Sequence, residues 1–402
     1  MQTITIVSPW FGPDTVGGAE TQARQLAQAI QGQGAAVEVW TTTGRDSFTP
    51  PTPYYAEGTD ALDGIPIRRF PLTPPTNNTY VPSAVAQRLH VLPILPDFPD
   101  HEHRLLASLV SSDTLLEAIA TTQAGRQFLF IPYPFPTSFW GTLLAGERAN
   151  LLPCLHDEPY ARYSTYRWMF QQARRVLSNS PAERDLARWL YDLADKQVVV
   201  AGEGIDLTPR GDGAAFRERH QIDGPLLLYV GRRDESKNVP LLLSYIREYW
   251  ARRGSLFTLM LIGRDRLDLP PSLQEVVLDL GYCDVAEKHD AYAAADVFIN
   301  PSTYESFSIV LMEAWLQETA ALVHADCAVT REAAETSQGG LAFRDFGEFA
   351  AALDLLLANA ALCQMLGRNG RAYVLDTCRW EAVAQRTIDA LLTNVNVDEV
   401  CV

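Results

Sequence analysis

Short apolar, β-branched runs alternate with amphipathic helical stretches along nearly the whole chain, and the series starts twice. "ITIVS" leads through a glycine-bearing loop into "AETQARQLAQAIQ" and then the run "AVEVWTT"; "FLFIPY", "NLLPCLH" and "RVLSNS" each precede another helical stretch. The series restarts with "LLLYVG", "FTLMLIG", "DVFINPS" and "AALVHAD". Strand and helix taking turns is the pattern of parallel sheets, because neighbouring parallel strands need a crossover and a helix supplies it. With 402 residues the chain is too long for one ordinary domain. The expected fold is therefore α/β, with two doubly wound units: residues 1–195 and 196–377, joined near "DKQVVVAGEGID". The amphipathic stretch "RWEAVAQRTIDALL" reads as a last helix, and the tail after Asn394 as frayed.

Two segments break this rhythm. Residues 44–64, with Pro50, Pro51 and Pro53, read as a loop insertion. Residues 71–100 hold Pro71, Pro74, Pro75, Pro82, Pro93, Pro96 and Pro99, too many for regular structure throughout. Long loops on an α/β scaffold commonly line a site.

Composition removes several functions. A net charge of −16 gives no basic footprint for nucleic acid. An anionic ligand must then be met by a few placed cations and backbone amides. The six cysteines, at 154, 283, 327, 363, 378 and 401, are scattered without a Cys-x-x-Cys pair, as in a reduced, cytoplasmic protein. The opening "MQTITIVSPW" has no basic leader, and no apolar run approaches the ~20 residues of a membrane span. Peripheral contact with a membrane surface stays open. There is no Walker loop, no Gly-x-Ser-x-Gly and no Asp-x-Asp, so a metal-bridged diphosphate has no evident ligand pair.

In open α/β sheets, ligands sit beyond the carboxyl ends of the strands, where helix N-termini also point. Four loops there hold unusual residues. In "GRRDESKN", Arg232 and Lys237 stand before the helix "NVPLLLSYI", which suits a diphosphate or, equally, a solvated loop. In "PSTYESFSIVLMEAW", the spacing predicts a helix from near Phe307, with Glu305 before it, Glu313 inside it, and the amides of Ser306, Phe307 and Ser308 at its start. A carboxylate in so apolar a helix needs donors, either vicinal hydroxyls of a ligand or a buried arginine. In "VGGAE", Gly17 and Gly18 permit close backbone approach or simply a tight turn. In "CLHDEPY", His156 is expected at the end of an apolar strand, with a structural role and a functional one both open.

Together these stretches resemble the retaining glycosyltransferases of the GT-B fold, in particular glycosyltransferase family 4. "VGRRDESKN" is similar to that family's Gly-Arg…Lys loop, "ESFSIVLME" to its Glu-x7-Glu motif, and "LGYCD" to the stretch contacting the base. "GGAE", "LHDEPY", "SNSPAERDLA" and "GEGID" follow in the family's order. The resemblance implies two Rossmann-like domains facing across a cleft, with residues from about 378 returning to pack on the first. It implies that Arg232 and Lys237 bind a donor diphosphate, that Glu313 holds the ribose, and that Glu305 contacts the donor sugar. Tyr282 and Cys283 would lie near the base, Gly17 and Gly18 near the diphosphate, and His156 by the reacting sugar.

The implied reaction moves a sugar from a nucleoside diphosphate to an unidentified hydroxyl acceptor, with retention, without metal and without a protein nucleophile. A nucleotide-sugar epimerase and a non-catalytic nucleotide-sugar-binding scaffold are the alternatives. Two positions depart from the family pattern: Ser308, where many relatives have glycine, and Arg233, where many have an apolar residue.

Overall fold

The computed structural model describes residues 2–15, 17–46, 51–76, 78–93, 95–122, 125–254, 257–264 and 269–392. Pro50 and the tail after Asn394 lie outside the described residues. Contacts divide the chain into two compact units, Met1–Gly204 with Trp380–Val402, and Ile205–Arg379.

The N-terminal unit is built on one eight-stranded sheet. Its strands are β1 (Thr3–Ser8), β2 (Val37–Thr42), β3 (Gly58–Leu62), β4 (Ile65–Phe70), β5 (Arg126–Phe130), β6 (Ala149–Leu151), β7 (Arg175–Ser178) and β8 (Val198–Val200). They lie in the order β3-β4-β2-β1-β5-β6-β7-β8, all parallel except β3, which runs antiparallel to β4. The order reverses between β1 and β5, so the loops after these two strands diverge there. β1 is buried along almost its whole length, from Ile4 to Ser8, as expected of a parallel strand covered on both faces. One face carries Ile4 and Ile6 against the helix Gly18–Gly32, and the last helix, Trp380–Leu392, packs on that helix through Val383, Ala384 and Leu391.

Two expectations need correcting here. Residues 44–64 are not wholly loop: Gly58–Leu62 is an edge strand whose residues are mostly exposed, and it turns into β4 through Asp63 and Gly64, both at positive φ. Exposure on both faces leaves such a strand without the alternation that marks strands in a sequence. His156 does not end a strand either. β6 stops at Leu151, because Pro153 has no N–H for the ladder and Cys154 is held in the left-handed region at φ 54.

The C-terminal unit holds a six-stranded parallel sheet. Its strands are β9 (Leu226–Val230), β10 (Thr258–Ile262), β11 (Val277–Gly281), β12 (Val297–Asn300), β13 (Ala320–His324) and β14 (Gly340–Phe343), in the order β11-β10-β9-β12-β13-β14. This is the Rossmann order, with its reversal between β9 and β12. Helix starts are fixed by side-chain caps: Asp284 accepts from the Glu287 amide and Asp345 from the Glu348 amide. Gly254 at φ 62 ends the helix Val239–Arg253. Among the described residues, no single helix is long and apolar enough to cross a membrane.

Candidate active site

The strand order reverses between β9 and β12, and at the carboxyl edge of the C-terminal sheet beside this reversal, where open α/β sheets hold ligands, stand four of the sequence-derived residues. After Val230 the chain turns through Gly231 (φ 149) into a loop organised by Asp234. The Asp234 carboxylate accepts from the Ser236 hydroxyl (2.5 Å) and the Lys237 amide (3.2 Å), closing a short 3-10 turn, Glu235–Lys237. Those bonds and the neighbouring Arg232 hold Asp234 below the usual carboxylate range, against the opposing effect of its burial. Asn238 then takes the left-handed conformation at φ 57, and its side-chain amide donates to the Pro301 carbonyl at 3.0 Å. That bond ties the loop after β9 to the loop after β12.

The tie brings Lys237 onto Glu305. The Lys237 ammonium donates to Glu305 Oε1 at 2.8 Å and to the Tyr304 carbonyl at 3.4 Å, and both side chains are largely buried. Arg232 stays half exposed, with its guanidinium near Asp234 Oδ2 (3.4 Å) and donating to the Ser236 hydroxyl (3.1 Å). Arg233 points the other way. Its side chain is 1% exposed, pairs with Asp279 at 2.5 Å and donates to the Leu261 carbonyl at 3.2 Å. It therefore cross-links the ends of β9, β10 and β11 and explains the arginine at a position expected to be apolar.

The helix of the Glu-x7-Glu stretch spans Ile309–Leu316 and begins two residues later than the spacing predicts. Ser308 sits at φ 75, which no right-handed helix accommodates, and its hydroxyl accepts from the Asn300 side-chain amide at 2.9 Å. The amides that open the helix are thus those of Ile309 and Val310, not those of Ser306 and Phe307. Phe307 is buried in the core of the unit.

Glu313 answers to protein donors, and they are not arginine. Lys288 donates to Oε1 at 2.6 Å and Tyr292 to Oε2 at 3.0 Å, both from the helix Val285–Ala294. Burial beside Glu313 pushes the Tyr292 phenol well up, so it remains a donor. Lys288 and Tyr292 are site residues that sequence reasoning missed. The available signal was the amphipathic helix "EKHDAYAA", but the pairing of Lys288 with Glu313 depends on two helices meeting, which no spacing encodes. Tyr282 is 66% exposed, with the Arg264 guanidinium 4.5 Å from its ring centre, and Cys283 follows it half-buried.

In the N-terminal unit, Gly17 and Gly18 differ. Gly17 lies at φ 144, and a Cβ there would meet Glu20 Oε2 at 2.0 Å; a Cβ on Gly18 would meet nothing within 4 Å. Burial, with a smaller contribution from Asp46, raises the Glu20 carboxyl to about 7. His156 lies past β6 with its Nδ1 3.6 Å from Glu158 Oε2. Behind it, the wholly buried Glu183 carboxylate accepts from the Leu155 and Asn179 amides, both at 2.5 Å, and burial raises it to about 8.

Residues 16–209 match the family model described as Glycosyltransferase Family 4, and residues 214–373 the model described as Glycosyl transferases group 1. The chain belongs to glycosyltransferase family 4. One relative from this family, a D-inositol 3-phosphate glycosyltransferase of Frankia alni, is 31% identical over 237 residues, 54% of this chain and 56% of that protein. The chain spans about half the length of the first curated relatives it matches. Solved structures share the fold at low identity. Sucrose-phosphate synthase from Thermosynechococcus elongatus superposes with a TM-score of 0.68 at 20% identity, covering 96% of this chain and 97% of that one. Anabaena Alr3699/HepE, solved with UDP and glucose, gives 0.67 at 15%, covering 97% and 99%. The family-4 chain has the GT-B class of α/β fold.

Proposed function

We propose that this protein transfers a sugar from a nucleoside-diphosphate donor to a hydroxyl acceptor, with retention at the anomeric carbon and without a metal ion. The observation that carries the reading is the Lys237–Glu305 pair at the strand-order reversal of the C-terminal sheet. An ammonium has three donors. Glu305 and the Tyr304 carbonyl take two, which leaves one for a phosphoryl oxygen without breaking the pair. Arg232, half exposed beside it, supplies a second cation.

Charge develops on the diphosphate as the glycosidic bond breaks. Donors fixed in advance stabilise that charge more in the transition state than in the bound donor, each by ~2–4 kcal/mol. Glu313 suits a ribose for a similar reason. Each carboxylate oxygen accepts twice, so Lys288 and Tyr292 orient the group and leave one lone pair per oxygen for vicinal hydroxyls. Glu305 would meet hydroxyls of the transferred sugar. For the N-terminal unit, the same reading gives Gly17 and Gly18 to the diphosphate and His156 to the sugar. The departing phosphate would take the acceptor proton, so no protein nucleophile enters. A uridine donor is the first to try, since HepE was solved with UDP.

The test is a thermal-shift screen of nucleotide sugars, followed by nucleotide release with candidate acceptors and NMR of the product anomer. A product with the donor's anomeric configuration, formed at the same rate in chelator, is expected. An inverted product would overturn retention, a rate abolished by chelator would overturn metal independence, and interconversion of the donor without acceptor would replace transfer by epimerisation.

A further inference from the structure

Glu158 occupies an unusual setting in the N-terminal unit. Its side chain is 15% exposed, beneath a group of packed tyrosines: Tyr133 stacks on Tyr160 at 6.1 Å and meets Tyr166 edge-on at 5.0 Å. Burial alone would push a carboxyl there upward. The neighbouring His156 and the tyrosines Tyr160 and Tyr133 outweigh it and hold Glu158 below the usual range. Tyr133 donates to Oε1 at 2.8 Å, and the His156 Nδ1 stands 3.6 Å from Oε2. Glu158 is thus a charged, mostly buried acceptor, a costly object unless a cation or donor faces it.

The neighbouring polar groups have contacts of their own. Arg162 is drawn to Asp157 at 2.5 Å. Glu102 spends its oxygens on the Ser164 amide and hydroxyl and the Thr165 amide. Burial raises the tyrosines facing Glu158, Tyr133, Tyr160, Tyr166 and Tyr191, so they stay protonated, and the charges of Arg167 and Arg162 are felt at Tyr191. The backbone holds the geometry: the Glu158 carbonyl accepts from the Ala161 amide at 3.0 Å, opening the turn Pro159–Arg162, and the Tyr133 amide donates to the Pro153 carbonyl at 3.1 Å.

We propose that Glu158 is a positioning residue for His156: held by the Tyr133 hydroxyl, it draws the imidazole proton to Nδ1 and so presents Nε2 as the outward nitrogen. Histidine tautomers are set by the partner of the other ring nitrogen, and carboxylates that orient metal-bound histidines in the same way change activity by about tenfold to a hundredfold when removed. The consequence for catalysis rests on the reading above, in which His156 serves the transferred sugar; the tautomer does not.

The test uses the full-length, 15N-labelled protein without donor, at a pH where the ring is neutral. Two-bond 1H–15N spectra, with His156→Asn for assignment, report which nitrogen carries the proton. The expected result is Nδ1–H in the wild type and a shift towards the Nε2–H form, which dominates in free imidazole, in Glu158→Ala. Glu158→Gln, which keeps the volume, covers the case in which alanine impairs folding. In turnover, Glu158→Gln is expected to lower kcat about tenfold with little change in donor KM. An Nε2–H wild type, or a tautomer unmoved in both variants, overturns the proposal. Absence of transfer from every donor would instead sink the functional reading and leave the tautomer result standing.

Discussion

Two pairs of buried carboxylates, one pair in each unit, are treated in opposite ways. In the N-terminal unit, Glu20 and Glu183 have no ion-pair partner among the described residues, and burial raises them to about 7 and about 8. Glu183 serves as an acceptor for loop amides and is most comfortable protonated. In the C-terminal unit, Glu305 and Glu313 each face a lysine, at 2.8 and 2.6 Å. Donors and acceptors there are already paired and already aimed, yet each group keeps unused hydrogen-bonding capacity. The first arrangement builds a scaffold; the second is prepared to share its partners with a ligand. Composition makes the contrast sharper, because the chain has only three lysines and puts two of them here.

The largest effect that tests this contrast is expected at Lys237. Lys237→Ala should lower turnover by roughly 10²-fold or more while the fold is kept, as removal of one preorganised donor does elsewhere; steady-state kinetics beside circular dichroism checks it. A rate near wild type would place Lys237 with the scaffold acids instead. Next comes Glu313→Gln. It should weaken binding of a nucleoside more than that of inorganic pyrophosphate, which calorimetric titration of both ligands separates; equal losses would remove the ribose from Glu313.

A third experiment probes the other side of the comparison. Folded, Glu183 keeps its proton up to about pH 8, while its ordinary value is 4.5. Between those values the folded form binds more protons, so its contribution is fully present below pH 4.5 and lost as pH rises through about 8. The melting temperature of the wild type should therefore fall over that window more steeply than that of Glu183→Gln. Parallel curves would show that Glu183 does not hold its proton in the folded protein and would contradict this reading. The smallest effect concerns the two glycines. Gly18→Ala should leave the melting temperature equal or slightly higher, since nothing lies within 4 Å of the added methyl, whereas Gly17→Ala, at φ 144 and against Glu20, should lower it.

Most of the architecture was legible because parallel strands buried on both faces leave continuous apolar runs, as β9 and β13 do. β3 was not, being an exposed edge strand without alternation. Arg232, Lys237, Glu305 and Glu313 could be singled out because strand-to-helix loops at the carboxyl edge are few. Their partners could not: Lys288 meets Glu313, and Asp279 meets Arg233, only through the packing of separate elements. The start of the helix at Ile309 was misplaced for a local reason, since a serine at φ 75 is not a conformation that sequence announces.

The account's central claim is that Lys237, with Arg232, receives a diphosphate. Titrating UDP and UMP into the wild type and into Lys237→Ala tests it most directly. The account predicts that the wild type prefers the diphosphate and that the variant loses most of this preference while its affinity for the monophosphate changes little. A preference for the diphosphate that survives the loss of Lys237 would contradict it.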